Sequence, residues 1–554
     1  MKTGIWLGLM MLCCLIAGSC KKSFLSTAPL AELSAAELKE KDGVEKVIIG
    51  AYSVLKGQID HDDQAFHSPA SNWTFGDVTS DDALKGGNGT GDLNSIHKME
   101  TFVVDAYSID AQRKWMVCYE GVSRANQAIN LLKVANGYEE VLRSQRIAEM
   151  RFLRGHFYFE LKKIFNKIPY IDENVAREDM VKISNVTLND DELWKKIEDD
   201  FMAASQHLPK KQLAEPGRPT RYAAFAYLCK SYIFQKKWMD AIITADTVIT
   251  RGGYSLMPNY ADVFLPEYDN GPEIIFAVQH SINDGVANGY NGSVGDRLFP
   301  IGGPYWPAAE FGFFRPTQDL VNHFKTDEMG LPLKNNQDLS KNDFVDPRLD
   351  HTIARKGIPF LDLPVAYDPS WVRDYETYGG YSIKKRLVSP LSGHWLKVAP
   401  YTNDLNYYVI RYADVLLWQA EAFLALGHQQ PARQLINQLR RRARDGKKVQ
   451  FPGGGDAANY RVEEYATFFD CQECAMEALK TERRLEFALE GHRFFDLVRW
   501  GDASTVLKAY LKGESAKKPY LLNAKFLKGK HEYQPIPQRE IDLSKGVLVQ
   551  NPGY

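Results

Sequence analysis

Long apolar runs are almost absent from this 554-residue sequence. The one exception is residues 5–16, and it falls short of the ~20 apolar residues that a membrane-spanning helix needs. Long basic runs are absent too. The longest is Arg440-Arg441-Arg442, and 68 basic against 70 acidic residues leave a net charge of −2, which argues against nucleic acid as a main partner. Cysteine is scarce, with seven in the chain, so this is no disulfide scaffold. The twelve histidines form no HExxH or other metal-ligand spacing, and neither GxSxG, a Walker loop nor GxGxxG stands in a strand-to-helix context. These gaps leave little room for an enzyme. Aromatic residues, by contrast, are plentiful: 10 Trp, 28 Tyr and 28 Phe.

The first twenty residues have the order of a lipoprotein leader. Lys2 precedes the apolar run, Ala17-Gly18-Ser19 follows it, and Cys20 comes next. The expectation is a signal peptide over residues 1–19, acylation of Cys20 and a lipidated tether over 20–33, with membrane attachment through lipid alone. Of the remaining cysteines, Cys118 and Cys229 stand alone. Cys471-Gln472-Glu473-Cys474 lacks the second ligand pair of a zinc site and the βαβ context of a redox motif, so it reads as two ordinary thiols.

Helical periodicity fills most of the chain beyond the tether. A capping-box pattern, Ser34 with Glu37, opens a stretch in which Val44, Val47, Ile48, Ala51 and Leu55 recur at helical spacing. Residues 115–132 and 145–165 read as two long helices, the second ended by Asn166 to Pro169. Leu228, Cys229, Tyr232, Ala241, Ala245 and Val248 have the offsets of a tetratricopeptide helix pair, and Ala420, Phe423, Gly427, Ala432, Ile436 and Leu439 repeat them. Between the two copies the chain changes character. Residues 281–316 and 362–402 are crowded with aromatics, and the first of these is too rich in Gly and Pro for long helices. The reading is a mainly α protein: an N-terminal helical part (34–260), a loop-rich aromatic lobe with minor β (261–402) and a C-terminal helical part (403–554).

Four stretches carry a resemblance. Residues 411–422 (RYADVLLWQAEA), 479–501 (LKTERRLEFALEGHRFFDLVRWG), 534–541 (QPIPQREI) with the terminal QNPGY, and 149–161 (EMRFLRGHFYFEL) are similar to signature segments of SusD/RagB-type proteins, in family order. The resemblance implies an outer-membrane lipoprotein that captures glycan at the cell surface as the lid of a SusC-type TonB-dependent transporter. It also implies a body of about four tetratricopeptide-like units, a ligand-binding loop lobe, no catalysis and no cofactor. Lys21-Lys22 after the lipid cysteine departs from the acidic residues that many surface-exported relatives carry there.

Three features bear on chemistry. Glu482, Glu486 and Glu490 repeat every four residues in a cluster with Arg483, Arg484, Arg493, Asp496 and Arg499. Glycosidase carboxylates face each other across a cleft, whereas this spacing is that of a salt-bridge ladder, solvated or packed. Asp77, Asp81 and Asp82 are calcium-capable oxygens without EF-hand spacing, and read as a solvated acidic loop. Tryptophan distribution is the sharper signal. Trp115, Trp194, Trp238, Trp418 and Trp500 fall in helical pattern and read as core, while Trp73, Trp306, Trp371 and Trp395 fall in loop-like sequence. Aromatic rings stack on the C–H faces of sugars, so these four, with Tyr290 and Tyr305, are the candidate ligand contacts. Asn72, Asp77, Asp81, Arg297, Glu310, Arg315, Arg373, Asp374 and His394 are the polar groups near them in sequence. The opposing reading of each Trp is a pin that holds its loop to the body. Trp306, between Gly302-Gly303-Pro304 and Pro307, is the first expected platform. The competing functions are a tetratricopeptide scaffold for protein partners and a secreted glycoside hydrolase.

Overall fold

The computed structural model describes residues 37–59, 64–212, 214–286, 289–306, 311–335, 337–467 and 469–554. The leader, Cys20, the tether and the capping box at Ser34 lie outside the described residues, as do Pro307 and Glu310.

The chain is mainly helical. Its principal helices are α1 (Lys41–Ser53), α2 (Ile109–Val134), α3 (Glu140–Phe165), α4 (Asp190–His207), α5 (Arg221–Phe234), α6 (Trp238–Arg251), α7 (Tyr412–Ala425), α8 (Gln429–Asp445), α9 (Gln472–Phe487) and α10 (Arg493–Trp500). Each packs on the next from α1 through α8, and α9 closes against α7 and α8. Local signals set several starts. Ser108 caps α2 by accepting from Ala111 N–H, Asn189 and Glu192 form a capping box on α4, and Thr220 caps α5 through Ala223 N–H. Missing side chains let paired helices approach: a Cβ on Gly121 of α2 would lie 2.3 Å from the Phe157 ring of α3, and one on Gly155 of α3 would lie 2.9 Å from Phe201 of α4.

The two tetratricopeptide-like pairs share one design. Leu228, Cys229, Ala241, Ala245 and Val248 of α5–α6 are buried, and so are Ala420, Ala432, Ile436 and Leu439 of α7–α8. Both turns are made the same way, two residues after the helix ends, by a residue with positive φ: Lys236 at +59° and Gly427 at +82°. Lysine carries a strain there that glycine does not.

Strands are few. β2 (Ile274–Val278) pairs antiparallel with β4 (Tyr407–Arg411), and β1 (Ala83–Gly86) with β3 (Phe313–Pro316). The two aromatic-rich segments, 281–316 and 362–402, form loops, single turns and short strands, β3 among them. Apolar side chains gather mainly into two cores. One unites the helices from Val44 to Leu548. The other fills the lobe, and it takes Trp73, Val78, Ala83 and Ile96 from the N-terminal segment and Leu485, Ala488 and Leu489 from the end of α9. No helix of the described residues is long and apolar enough to cross a membrane.

The CxxC reading needs correction. Cys471 caps α9, its sulfur accepts Cys474 N–H, and the two cysteines are disulfide-bonded with their Cα atoms 5.0 Å apart. The first turn of the helix brings positions i and i+3 onto one face, which the spacing alone did not weigh. Cys118 and Cys229 are free and buried, and burial pushes each thiol up to about 12.

Candidate functional site

The lobe collects its loop aromatics into one connected stack. Tyr367 and Trp371 meet edge to face at 5.6 Å, Trp371 meets Phe360 at 6.0 Å, and Phe360 meets Trp306 at 5.9 Å. Trp306 then meets Trp395 at 6.5 Å, Trp395 lies nearly parallel to Tyr401 at 6.3 Å, and Tyr401 leads to Phe311. Burial is uneven along this chain of rings. Trp306 and Trp395 are buried at its centre, whereas Trp371, Tyr401, Phe311 and the adjoining Tyr305 are half-buried and form its rim. Gly303 supports that rim. Its φ is +91°, and a Cβ there would lie 2.8 Å from Cγ of Trp371, so the loop backbone presses directly on the indole.

Three of the expected platforms, Trp73, Trp306 and Trp395, are therefore packing residues in the free protein, Trp395 lying between Trp306 and Tyr401. Trp306 is 1% exposed, its ring walled in by Phe360 and Trp395. Trp73 is fully buried in the same lobe core: its indole N–H donates to Gly295 O at 3.1 Å, and its ring packs on Phe299 and Phe314. The expectation that these rings face solvent is corrected. Gly/Pro-rich loops fold back over them, and a ring of that size gains most when it is covered. The core reading of the helical tryptophans holds for Trp115, Trp194 and Trp418, while Trp238 and Trp500 are half-buried.

The polar neighbours divide in the same way. Arg373 is partly exposed and lies 3.7 Å from Asp92, Asp374 caps the turn after it, and His394 is paired with Asp404 at 3.0 Å, which raises the imidazole above its usual range. These lie at the surface. Asn72, Asp77, Asp81 and Arg315 are buried.

Asp81 and Asp82 are neither solvated nor free. Asp81 receives Arg493 at 2.8 and 2.9 Å and faces Arg484, and Asp82 accepts Arg484 Nε at 2.7 Å. Asp77 accepts Gly491 N–H at 2.7 Å, and burial raises its carboxyl well above the ordinary range. Among the described residues no group of His, Cys, Asp and Glu is arranged to hold a metal ion.

The glutamate ladder is a packed network. Glu486 accepts from Arg442 at 2.6 Å, Arg348 at 3.1 Å and Arg411 at 3.1 Å. Glu482 takes Arg348 and Arg440, and Glu490 takes Arg411 and Lys385. All these groups are buried, so neither water nor a glycosidic bond reaches a pair of these carboxylates. The arginines adjacent in sequence turn elsewhere: Arg483 to Asp414 and Asp496, Arg484 to Asp81 and Asp82.

Tyr290 lies next to a cleft of about 410 Å³ that its chain neighbour Asn291 lines. Lys56 joins them, donating to Tyr290 O and to Asn291 Oδ1, both at 2.9 Å. Ile49, Tyr52 and Val278 give the cleft an apolar floor, and Gln279, Ser281 and Asn291 give it a hydrogen-bonding edge. Apart from Tyr290 nothing in the sequence marked it, because it is assembled from α1, the 215–218 loop and the end of β2.

The chain matches a family model described as "SusD family" over residues 272–554 and one described as "Starch-binding associating with outer membrane" over 44–233. A SusD-like protein of Formosa agariphila is 22% identical, with 97% of each chain covered, and one of Bacteroides ovatus is 24% identical over 72% of this chain and 67% of its own. Solved structures share the fold. A laminarin-binding SusD-like protein superposes with a TM-score of 0.70 at 24% identity, covering 93% of this chain and all of its own. A Bacteroides fragilis SusD-like protein gives 0.73 at 22% identity over 95% of this chain and all of its own. A Bacteroides thetaiotaomicron surface glycan-binding protein solved with laminarihexaose gives 0.68 at 21% identity, over 92% of this chain and 99% of its own. With one half of its length matched by the family model, and with a helical body beside an aromatic lobe, this chain belongs to the SusD family.

Proposed function

We propose that this protein is a non-catalytic glycan-binding lipoprotein, held in the outer membrane through Cys20, that captures oligosaccharide on its loop lobe and passes it to a SusC-type TonB-dependent transporter. The observation that carries the binding role is the rim of Trp371, Tyr305, Tyr401 and Phe311, half-buried on a packed aromatic stack. Rings already fixed by their neighbours lose little freedom when a sugar face settles on them. Arg373, Asp374 and His394 supply surface polar groups in the same part of the sequence for hydroxyl selection. Burial of the glutamate ladder supports the absence of hydrolysis. Membership of the SusD family supports the transporter and the membrane face.

Calorimetry with the soluble chain from residue 21 onward tests the binding role. Laminarin-type glucans come first, because they are named with two structural relatives. The expected result is saturable binding of at least one glycan with no reducing ends released. Release of reducing ends would return the hydrolase reading, and silence across a broad panel would favour the scaffold. For the anchor, Cys20→Ala should leave an uncleaved, unacylated precursor in the cell. For the partner, affinity purification from solubilised outer membranes should recover a large TonB-dependent barrel, since a stable lid buries well over ~1,200 Å².

A further inference from the structure

Between α2, α3, α5, the β2–β4 pair and the Gly491–His492 turn lies a small cavity of about 20 Å³. Its lining is unusual in charge. Lys114, Lys163 and Lys230 reach it, against a single carboxylate, Glu160. Lys163 donates to Glu160 Oε1 at 2.6 Å, Lys114 lies 3.7 Å from Oε2, and Asn72 Nδ2 donates to Oε2 at 2.8 Å. Glu160 is thus fully engaged and held well below the usual carboxylate range by these lysines, against the opposing effect of its burial.

Lys230 is the lysine left over. Its ammonium faces the rings of Phe159, Tyr227 and Trp418 at 5.2, 5.5 and 5.9 Å, and among the described residues no carboxylate is ion-paired with it. The other acids whose charge acts on Lys230, Asp414 and Asp496, are bound by Arg483, and Asp496 also by Arg499, whose further partner is Glu421. Three acids against two arginines return one negative charge, while the lining holds two positive charges in excess, so this set of groups carries one positive charge against the burial that lowers Lys230 and brings Lys163 down to about 8. His156 and His492 add none. Burial and the surrounding cations drive both imidazoles down, His156 to about 3.

We propose that this cavity binds one monoatomic anion of the halide class, held by Lys230, Lys163 and Lys114. The space admits one particle of water or halide size, and only a charged one offsets the surplus. The bound ion would tie α2, α3 and α5 to the turn that carries Gly491.

Melting temperature in 0.2 M sodium bromide or chloride, compared with sodium gluconate at equal ionic strength, tests this. Halide should raise Tm by about 1–3 °C, as saturation of one weak site requires. Salts also act on the whole surface, so the comparison is repeated in Lys230→Met, which should lose the halide-specific rise. Crystals grown in bromide should show an anomalous peak between the three ammonium groups. Equal melting in all the salts overturns the proposal, and so does a cavity peak without anomalous signal. If Lys230→Met does not fold, the bromide peak in the unaltered protein decides.

Discussion

Glu486→Gln should destabilise the protein by about 3–5 kcal/mol while leaving glycan affinity in the surviving folded fraction unchanged. Five cations, Arg348, Arg411, Arg440, Arg442 and Lys385, face five carboxylates, Asp346, Glu273, Glu482, Glu486 and Glu490. The balance is complete, and Glu486 sits at its centre with three guanidinium partners. Removing its charge leaves a buried cation without compensation, which costs far more than an exposed pair would. The effect has a defined pH window. Burial opposes ionisation of Glu486, but Arg442, Arg411 and Arg348 outweigh it and depress its pKa. A carboxylate depressed in the folded state contributes stability that is fully present above its unfolded pKa, near 4.3, and is lost as pH falls through the folded value. The difference between the two proteins, read from urea unfolding, should be constant above about pH 5 and shrink below pH 4. A difference under about 1 kcal/mol at pH 7 would show that the network is solvated and replaceable.

The ladder also shows where sequence reading stops. Its four-residue spacing is enough to set catalysis aside, yet the partners of Glu486 lie 44, 75 and 138 positions away, and local spacing carries no trace of them. The helix pairs are legible because their small and apolar residues recur at fixed offsets within one supersecondary unit. Even their turns agree, with Lys236 and Gly427 two residues beyond the helix ends. The lobe is legible only as composition. Gly and Pro forbid helices, but they do not say which ring the loops will cover, so Trp306 and Trp371 look alike in sequence and differ in burial. Asp81 and Asp82 look solvated for the same reason: Arg484 and Arg493 come from some four hundred residues downstream. The cleft beside Tyr290 has still less signal, since each of its walls contributes only a few ordinary residues.

Trp306→Ala and Trp371→Ala should separate packing from recognition. Trp306 joins Phe360 to Trp395 and is covered by them, so truncation removes a large buried ring and should cost about 3–5 kcal/mol of stability, seen as early melting. Its glycan affinity, measured below the melting range, should change little, because the ring presents almost no face to a ligand. Trp371 occupies the rim, seated on Gly303 and braced edge-on by Tyr367 and Phe360. Its replacement leaves no enclosed cavity and should lower the melting temperature less. Affinity should fall about ten- to thirty-fold, the loss of one stacked ring being on the order of 1–2 kcal/mol. The pair is informative because both residues belong to one connected stack, so a general loosening of the lobe would weaken binding in both variants alike. Full affinity in Trp371→Ala, with Tyr305→Ala and Tyr401→Ala equally silent, would remove the aromatic rim from recognition and turn attention to the cleft beside Tyr290, where Gln279, Ser281 and Asn291 line the edge.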